Sequence, residues 1–416
     1  MSKVGLLFPG QGSQYIGMGK SLYEQYAVAR ETFEEANEVL EFNLSSLCFE
    51  GAMDELTMTF NAQPAILTAS VAAFRVLLQE LRLTPTFAAG HSLGEFSALT
   101  CTGAIKFEDA LRIVRKRGLL MQDAVVSNEG AMLAIIGLSD LEVEAVCEEV
   151  STGYGSMVVV ANYNSHDQIV VSGHTAAVDI VKEKLSAKGV KTIALKVSAP
   201  FHTPLMYSAF AGLRDELESC SYGKFAYPVI SNVTATPYSD SNYIVSNLTT
   251  QLFKPVQWHN SIQYMLNQGV HSFIEVGPKK VLKNLLTGYS KVHQSVSFEH
   301  PFEIGAIREA GIESHPDGMG LISKCIAVAV STQNRNWDNE HYETGVVIPY
   351  NKLVDLRDQL IQSNTEPTID QLQFALDMLR SILETKLTTK ELQRERFNQI
   401  LTNTCTHELF PLFEVS

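Results

Sequence analysis

The sequence predicts an α/β protein: a mainly parallel sheet interrupted by a βαββαβ unit and followed by a helical C-terminal extension. Three observations predict it. Short apolar runs at Val4–Phe8, Thr86–Ala89, Val229–Val233 and Ser272–Val276 alternate with helical stretches, as in a parallel α/β body. Residues 129–197 repeat a compact strand–helix rhythm of their own. After about residue 296 strand signals give way to amphipathic helical patterns. The expected division is a body over 1–128 and 198–295, an inserted subdomain over 129–197, and a mostly helical extension over 296–416.

Val4–Phe8 is too short for a signal-peptide core or a membrane span, and Pro9-Gly10-Gln11-Gly12 ends it in a turn. Gln63–Leu81 reads as a long apolar helix with Pro64 in its first turn. Thr86–Ala89 is the next strand and runs into Gly90-His91-Ser92. Helices follow from Leu93 to about Thr100 and from Phe107 to about Val125.

The inserted unit begins with a strand at Ala131–Ile136 and a helix from Ser139, which the sequence offers as its N-cap. Strands at Met157–Asn162 and Gln168–Ser172, a helix over Thr175–Lys188 ending at Gly189, and a strand at Val190–Val197 complete it. That βαββαβ order is the ferredoxin-like split unit. In the extension, Thr368-Ile369-Asp370-Gln371 is a capping box. The helix it opens should turn Leu372, Phe374, Ala375, Met378, Leu379, Ile382 and Leu383 to one face. A looser box at Thr388-Thr389-Lys390-Glu391 opens another helix.

Composition narrows the function. The chain has 416 residues, 45% hydrophobic and 19% charged, and is long enough for two or three packed units. A net charge of -14 argues against a nonspecific nucleic-acid binder, and no stretch reads as a membrane span. Six scattered cysteines with no C-x-x-C pair argue against a zinc site or a disulfide framework, and fit a reducing cytoplasm. No metal or cofactor is expected.

The chemistry-bearing motif is Gly90-His91-Ser92-Leu93-Gly94, which fits the G-x-S-x-G nucleophile elbow of hydrolase-like α/β bodies. A strand before it and a helix after it are both predicted. The bland alternative is a tight strand-to-helix turn with a capping serine. A serine needs a base to become a nucleophile. Among eleven histidines, His202 is placed best, where the chain returns from the inserted unit to the body. A surface loop histidine is the competing reading. His91 should point away from the serine. No acid between residues 92 and 202 stands out as a third triad member.

Taken together, Phe8-Pro9-Gly10-Gln11-Gly12-Ser13-Gln14, Gln63-Pro64-Ala65, Gly90-His91-Ser92-Leu93-Gly94-Glu95, Arg115-Lys116-Arg117-Gly118, Phe201-His202, Pro255-Val256-Gln257-Trp258 and Glu275-Val276-Gly277-Pro278 resemble the malonyl-CoA:acyl carrier protein transacylases and the acyltransferase domains of polyketide synthases. The resemblance implies Ser92 as nucleophile, His202 as base, and the amides of Gln11 and Leu93 as oxyanion hole. It implies a main-chain carbonyl near Gln257 orienting His202, and Arg117 gripping the malonyl carboxylate with Gln63 and Phe201 beside the substrate. A phenylalanine before the base histidine goes with malonyl rather than methylmalonyl in polyketide acyltransferases, although Ala199-Pro200 departs from the usual spelling upstream. Segments of the extension such as Asn334-Arg335-Asn336-Trp337 and Gly345-Val346-Val347-Ile348-Pro349-Tyr350 resemble the tails of free-standing acyltransferases that serve polyketide synthases.

The implied reaction moves malonyl from malonyl-CoA through a seryl ester to the phosphopantetheine thiol of an acyl carrier protein or synthase module. Lys182, Lys184 and Lys188, or Lys279, Lys280 and Lys283, are candidate docking patches for an acidic carrier. An acyl hydrolase that clears carriers, or a non-catalytic carrier-binding protein, are the rival readings.

Overall fold

The computed structural model describes residues 3–124, 130–197, 199–312 and 316–411. Among these, residues 3–81 and 85–312 form one compact unit, and residues 82–84 and 316–411 form a second. The strands in chain order are β1 (Val4–Phe8), β2 (Phe87–Gly90), β3 (Gly130–Ile136), β4 (Val158–Tyr163), β5 (Gln168–His174), β6 (Lys191–Ala194), β7 (Val229–Ile230), β8 (Ser272–Val276) and β9 (Gln294–Phe298).

The first unit is built on a five-stranded sheet of order β7-β2-β1-β8-β9, every pairing parallel. The chain is an α/β protein with a parallel sheet covered by helices. β1, β2 and β8 are buried along their whole length, as expected of strands covered on both faces. β9 completes the sheet, so the extension does not begin at residue 296; that boundary falls inside a strand, and the first unit runs to Ile312. The alternation in Gln294–Phe298 is short and half-polar, which hid it.

The apolar helix starts earlier than its sequence suggests, at Thr59, and runs to Glu80 with Pro64 inside it. A proline there leaves the carbonyl four residues back without its helical donor. That carbonyl belongs to Phe60, and the Arg115 guanidinium donates to it at 2.8 Å.

The inserted unit forms a four-stranded antiparallel sheet of order β4-β5-β3-β6. Ser139 caps its first helix in a full capping box with Glu142. Alternation along β3 and β5 sends Leu133, Ile135, Ile169 and Val171 into the core beneath the two helices. Met132, Ala134 and Val170 face the other way. Backbone bonds from Tyr163 and Val256, to the carbonyls of Val256 and Ala161, tie the insert to the body.

The second unit is helical, with Gly318–Ser331, Ile348–Ser363, Ile369–Thr385 and Lys390–Asn403 as its long helices. Leu321, Cys325, Leu353, Leu376, Leu379, Leu383 and Phe397 form its core. Thr368 and Gln371 make the expected capping box. Phe374 departs from the expected apolar face and is 37% exposed. The Lys386 ammonium is turned inward and donates to the carbonyls of Ala329 and Thr332 at 2.7 and 2.8 Å, satisfying the end of the Gly318–Ser331 helix.

Candidate active site

Three adjacent parallel strands deliver the site from their carboxyl ends. Phe8 of β1 pairs with Gly90 of β2, and Ala89 of β2 with Ile230 of β7. The turn after β1 therefore brings Gln11 beside the turn after β2, which holds Ser92. Asn232, two residues beyond β7, comes up on the other side.

Between β2 and the helix Leu93–Cys101 the chain turns sharply at Ser92, whose φ of 51° and ψ of -101° are strained for a residue with a side chain. The flanking glycines permit the turn. A Cβ on Gly90 would stand 1.9 Å from the backbone of Gly94, and one on Gly94 would stand 1.9 Å from the carbonyl oxygen of Phe8. Asn232 holds the turn from outside. Its Oδ1 accepts from the Ser92 amide at 2.7 Å, and its Nδ2 donates to the Gly90 carbonyl at 2.7 Å.

His202 Nε2 lies 2.8 Å from Ser92 Oγ. Its Nδ1 lies 2.8 Å from the main-chain carbonyl of Gln251. That carbonyl can only accept, so Nδ1 carries the proton and Nε2 is free to accept the serine proton. It is the carbonyl of Gln251, not that of Gln257, that meets His202. The reason is local: Gln251 ends the helix Ile244–Thr250, where a carbonyl is left over. The Gln257 carbonyl is already engaged by the amide and hydroxyl of Ser261, both at 2.9 Å, at the start of the helix Trp258–Asn267. His202 is 4% exposed; burial, and then the charge of Arg117, pull its pKa down to about 3.

Arg117 is 1% exposed beneath the serine. It donates to Ser92 Oγ at 3.1 Å, to Gln63 Oε1 at 2.9 Å and to Gln251 Oε1 at 2.9 Å, and its guanidinium stands over the Phe96 ring. Its Nε meets no acceptor among the described residues. Burial brings its pKa down to about 10, so it stays charged at neutral pH. The amides of Gln11 and Leu93 meet no acceptor among the described residues, and both residues line the same cavity as Ser92. Leu93 opens its helix, so its amide is one of the donors a helix start leaves unpaired.

The cavity holds about 240 Å3 between the body and the insert. Ser92, His202, Arg117 and Phe201 border it on the body side; Met132, Ala134 and Val170 close it from the insert. Gln63 sits below, reaching it through Arg117. Sequence reading missed Asn232, Gln251, Glu95 and Tyr238. Glu95 lies within the elbow segment, but its partners come from distant loops, and no local pattern marks them. His91 does turn away from Ser92, toward Asn164 Oδ1 at 2.8 Å. Lys184 is paired with Glu149 and Lys280 with Glu303. No group of three or more metal-ligating side chains occurs among the described residues, and no described helix is long and apolar enough to cross a membrane.

A partly exposed serine against a buried histidine at a strand-to-helix elbow, with two amides that meet no acceptor and a buried arginine, is an arrangement suited to acyl transfer. The acyl transferase domain model matches residues 6–298, and the chain belongs to that family. It is 46% identical over 302 residues to a malonyl CoA-acyl carrier protein transacylase of Bacillus subtilis (strain 168), covering 72% of this chain and 95% of that one. A second Bacillus subtilis protein of the same name is 36% identical over 390 residues, 93% of this chain and 97% of that one. That alignment is longer than the first unit and takes in much of the helical unit. Among solved structures, a complex described as a type II PKS acyl-carrier protein with its malonyl-transacylase aligns with a TM-score of 0.71 at 37% identity, over 74% of this chain and 100% of that one. FabD from Acinetobacter baumannii aligns with a TM-score of 0.72 at 39% identity, over 74% and 98%.

Proposed function

We propose that this chain is a malonyl-CoA:acyl carrier protein transacylase in which Ser92 carries the acyl group. Ser92 Oγ attacks the thioester carbonyl as its proton passes to His202 Nε2. The oxyanion sits between the amides of Gln11 and Leu93. The C–S bond breaks, His202 returns the proton to the leaving coenzyme A thiolate, and a malonyl-serine ester remains. The thiol of a carrier's phosphopantetheine arm then attacks that ester by the same steps in reverse. The chemistry calls for no metal or redox group.

The observation that carries the malonyl assignment is Arg117. A buried, charged guanidinium 3.1 Å from the nucleophile, with its Nε unpartnered, suits an acyl group that ends in a carboxylate. Phe201 and Gln63 shape and support that end of the cavity. A hydrolase of neutral acyl chains has no use for such a cation, and a mere binding protein has no use for a strained serine held against a histidine.

We read the body as hydrolase-like, on the strength of its strand–elbow–helix, and the insert as ferredoxin-like, on its strand order and its βαββαβ succession. Polyketide synthesis is the preferred setting, because the helical extension resembles that of free-standing acyltransferases. The six unpaired cysteines suit a cytoplasmic enzyme.

Intact-mass measurement after mixing with malonyl-CoA or acetyl-CoA tests the reading. A stable malonyl adduct, absent in Ser92→Ala and passed on when a carrier protein is added, supports it. Free malonate without a carrier supports the hydrolase instead, and no adduct supports the binding protein. A panel of fatty-acid and polyketide carriers tests the setting.

A further inference from the structure

Arg117 is one of two buried charges behind the cavity. Glu95, in the first turn of the helix that starts at Leu93, has no exposed surface. Its carboxylate receives Tyr238 Oη at 2.5 Å, Gln251 Nε2 at 2.6 Å and the Asn232 amide at 3.2 Å. The side-chain amide of Gln251 spans the two charges, donating to Glu95 and accepting from Arg117. No step of the acyl transfer uses Glu95.

The charge count is simple. Within the protein itself one buried cation is balanced by one buried anion. His202 and His91 are both held neutral, chiefly by burial, and burial pushes the Tyr238 hydroxyl well above its ordinary range. β1, β2 and β7 present no charged side chain to Glu95, and Arg75 of the neighbouring helix is paired with Glu35. A malonyl group adds a second carboxylate to the one cation. An uncompensated negative charge in a buried site is costly, and the pair relieves it when one carboxyl becomes neutral. Burial already holds Glu95 at about 7, against its three hydrogen-bond donors.

We propose that Glu95 is the internal counter-ion of Arg117, acting across the Gln251 amide, and takes up a proton from solvent when a substrate carboxylate binds the guanidinium. Loading of malonyl is then linked to proton uptake, and transfer to the carrier thiol releases that proton. Glu95 acts through Arg117 and Gln251 and is a positioning residue. This rests on the reading of Arg117 as the carboxylate clamp.

The test is calorimetric. The full-length protein is loaded with malonyl-CoA near neutral pH in two buffers of different ionisation enthalpy, and the protons exchanged are divided by the malonyl-serine found by intact mass. Ionisation of the released coenzyme A thiol adds the same background to every sample. Wild type should take up a fraction of a proton per adduct above Glu95→Gln. Tyr238→Phe serves if Glu95→Gln does not fold. It removes a donor from the carboxylate, leaves more of Glu95 protonated beforehand, and should shrink the uptake. Equal proton counts in wild type and the folded variant, with the adduct present, overturn the inference and leave the transacylase reading standing. Absence of any malonyl adduct in wild type overturns the reading on which it rests.

Discussion

The two walls of the cavity are fixed by different means. On the body side a polar network fixes the groups: Asn232 pins the elbow, the Gln251 carbonyl sets the imidazole, and the Gln251 amide joins Arg117 to Glu95. On the insert side Met132, Ala134 and Val170 present no hydrogen-bonding side chain, although Asn162, Asn164 and Gln168 also line the cavity. Buried polar networks hold atoms to a narrow geometry, whereas an apolar row sets only shape. Reaction should therefore be sensitive to the body wall and tolerant of the other.

The largest effect should come from the reacting pair. Ser92→Ala and His202→Ala should each lower malonyl transfer by roughly 10⁴–10⁶-fold, and the double variant by little more, because the two act as one unit. Single-turnover loading followed by mass spectrometry measures this. Additive losses would mean that His202 does not serve Ser92. The acid side of the pH profile adds a sharper check. With His202 held at about 3, its protonation should cost no rate as pH falls through 6.5. A tenfold loss per pH unit beginning there would show a base at its ordinary value.

Next comes the clamp. Arg117→Ala should reduce kcat/KM for malonyl-CoA by roughly 10²–10³-fold and move preference toward acetyl-CoA. Unchanged selectivity in competition between the two thioesters would remove Arg117 from substrate recognition.

Asn232→Ala probes the pinning itself. It leaves the Ser92 amide and the Gly90 carbonyl without their partner in a buried place, which should cost about 1–3 kcal/mol of unfolding stability. Misplacing Ser92 by even a small distance should add a loss of up to about 100-fold in rate. Denaturant unfolding and loading kinetics separate the two parts. A stable variant with full activity would show that the elbow holds its strain without help.

How much of this was legible in the chain follows the same division. Local pattern exposed what is local: the strand–elbow–helix at Ser92, the capping boxes at Ser139 and Thr368, and the order of elements in the insert. Gly90 and Gly94 could be read because the turn demands them where they stand. The polar network could not, because Asn232, Tyr238 and Gln251 meet Glu95 only through the sheet order, from 137 to 156 residues away in sequence. The expectation of a carbonyl near Gln257 missed for that reason: the Gln251 carbonyl that meets His202 lies 49 residues along the chain, and only the folded hydrogen bonds show which carbonyl is free. β9 escaped notice because three of its five residues, Gln294, Ser295 and Ser297, are polar.

The smallest effect is expected on the insert wall. Val170→Ala and Met132→Ala remove apolar volume at the cavity without touching a hydrogen bond. Each should change malonyl kcat/KM by less than about tenfold, since a few methylenes in an apolar pocket discriminate weakly. The wider cavity should instead admit a branched acyl group, so the ratio of methylmalonyl to malonyl loading should rise in both variants. Both side chains are nearly buried, so a stability loss accompanies the change and has to be measured beside it. A drop in malonyl loading as large as that of Arg117→Ala, with stability kept, would break the contrast between the walls and place a reacting or positioning function on the antiparallel sheet.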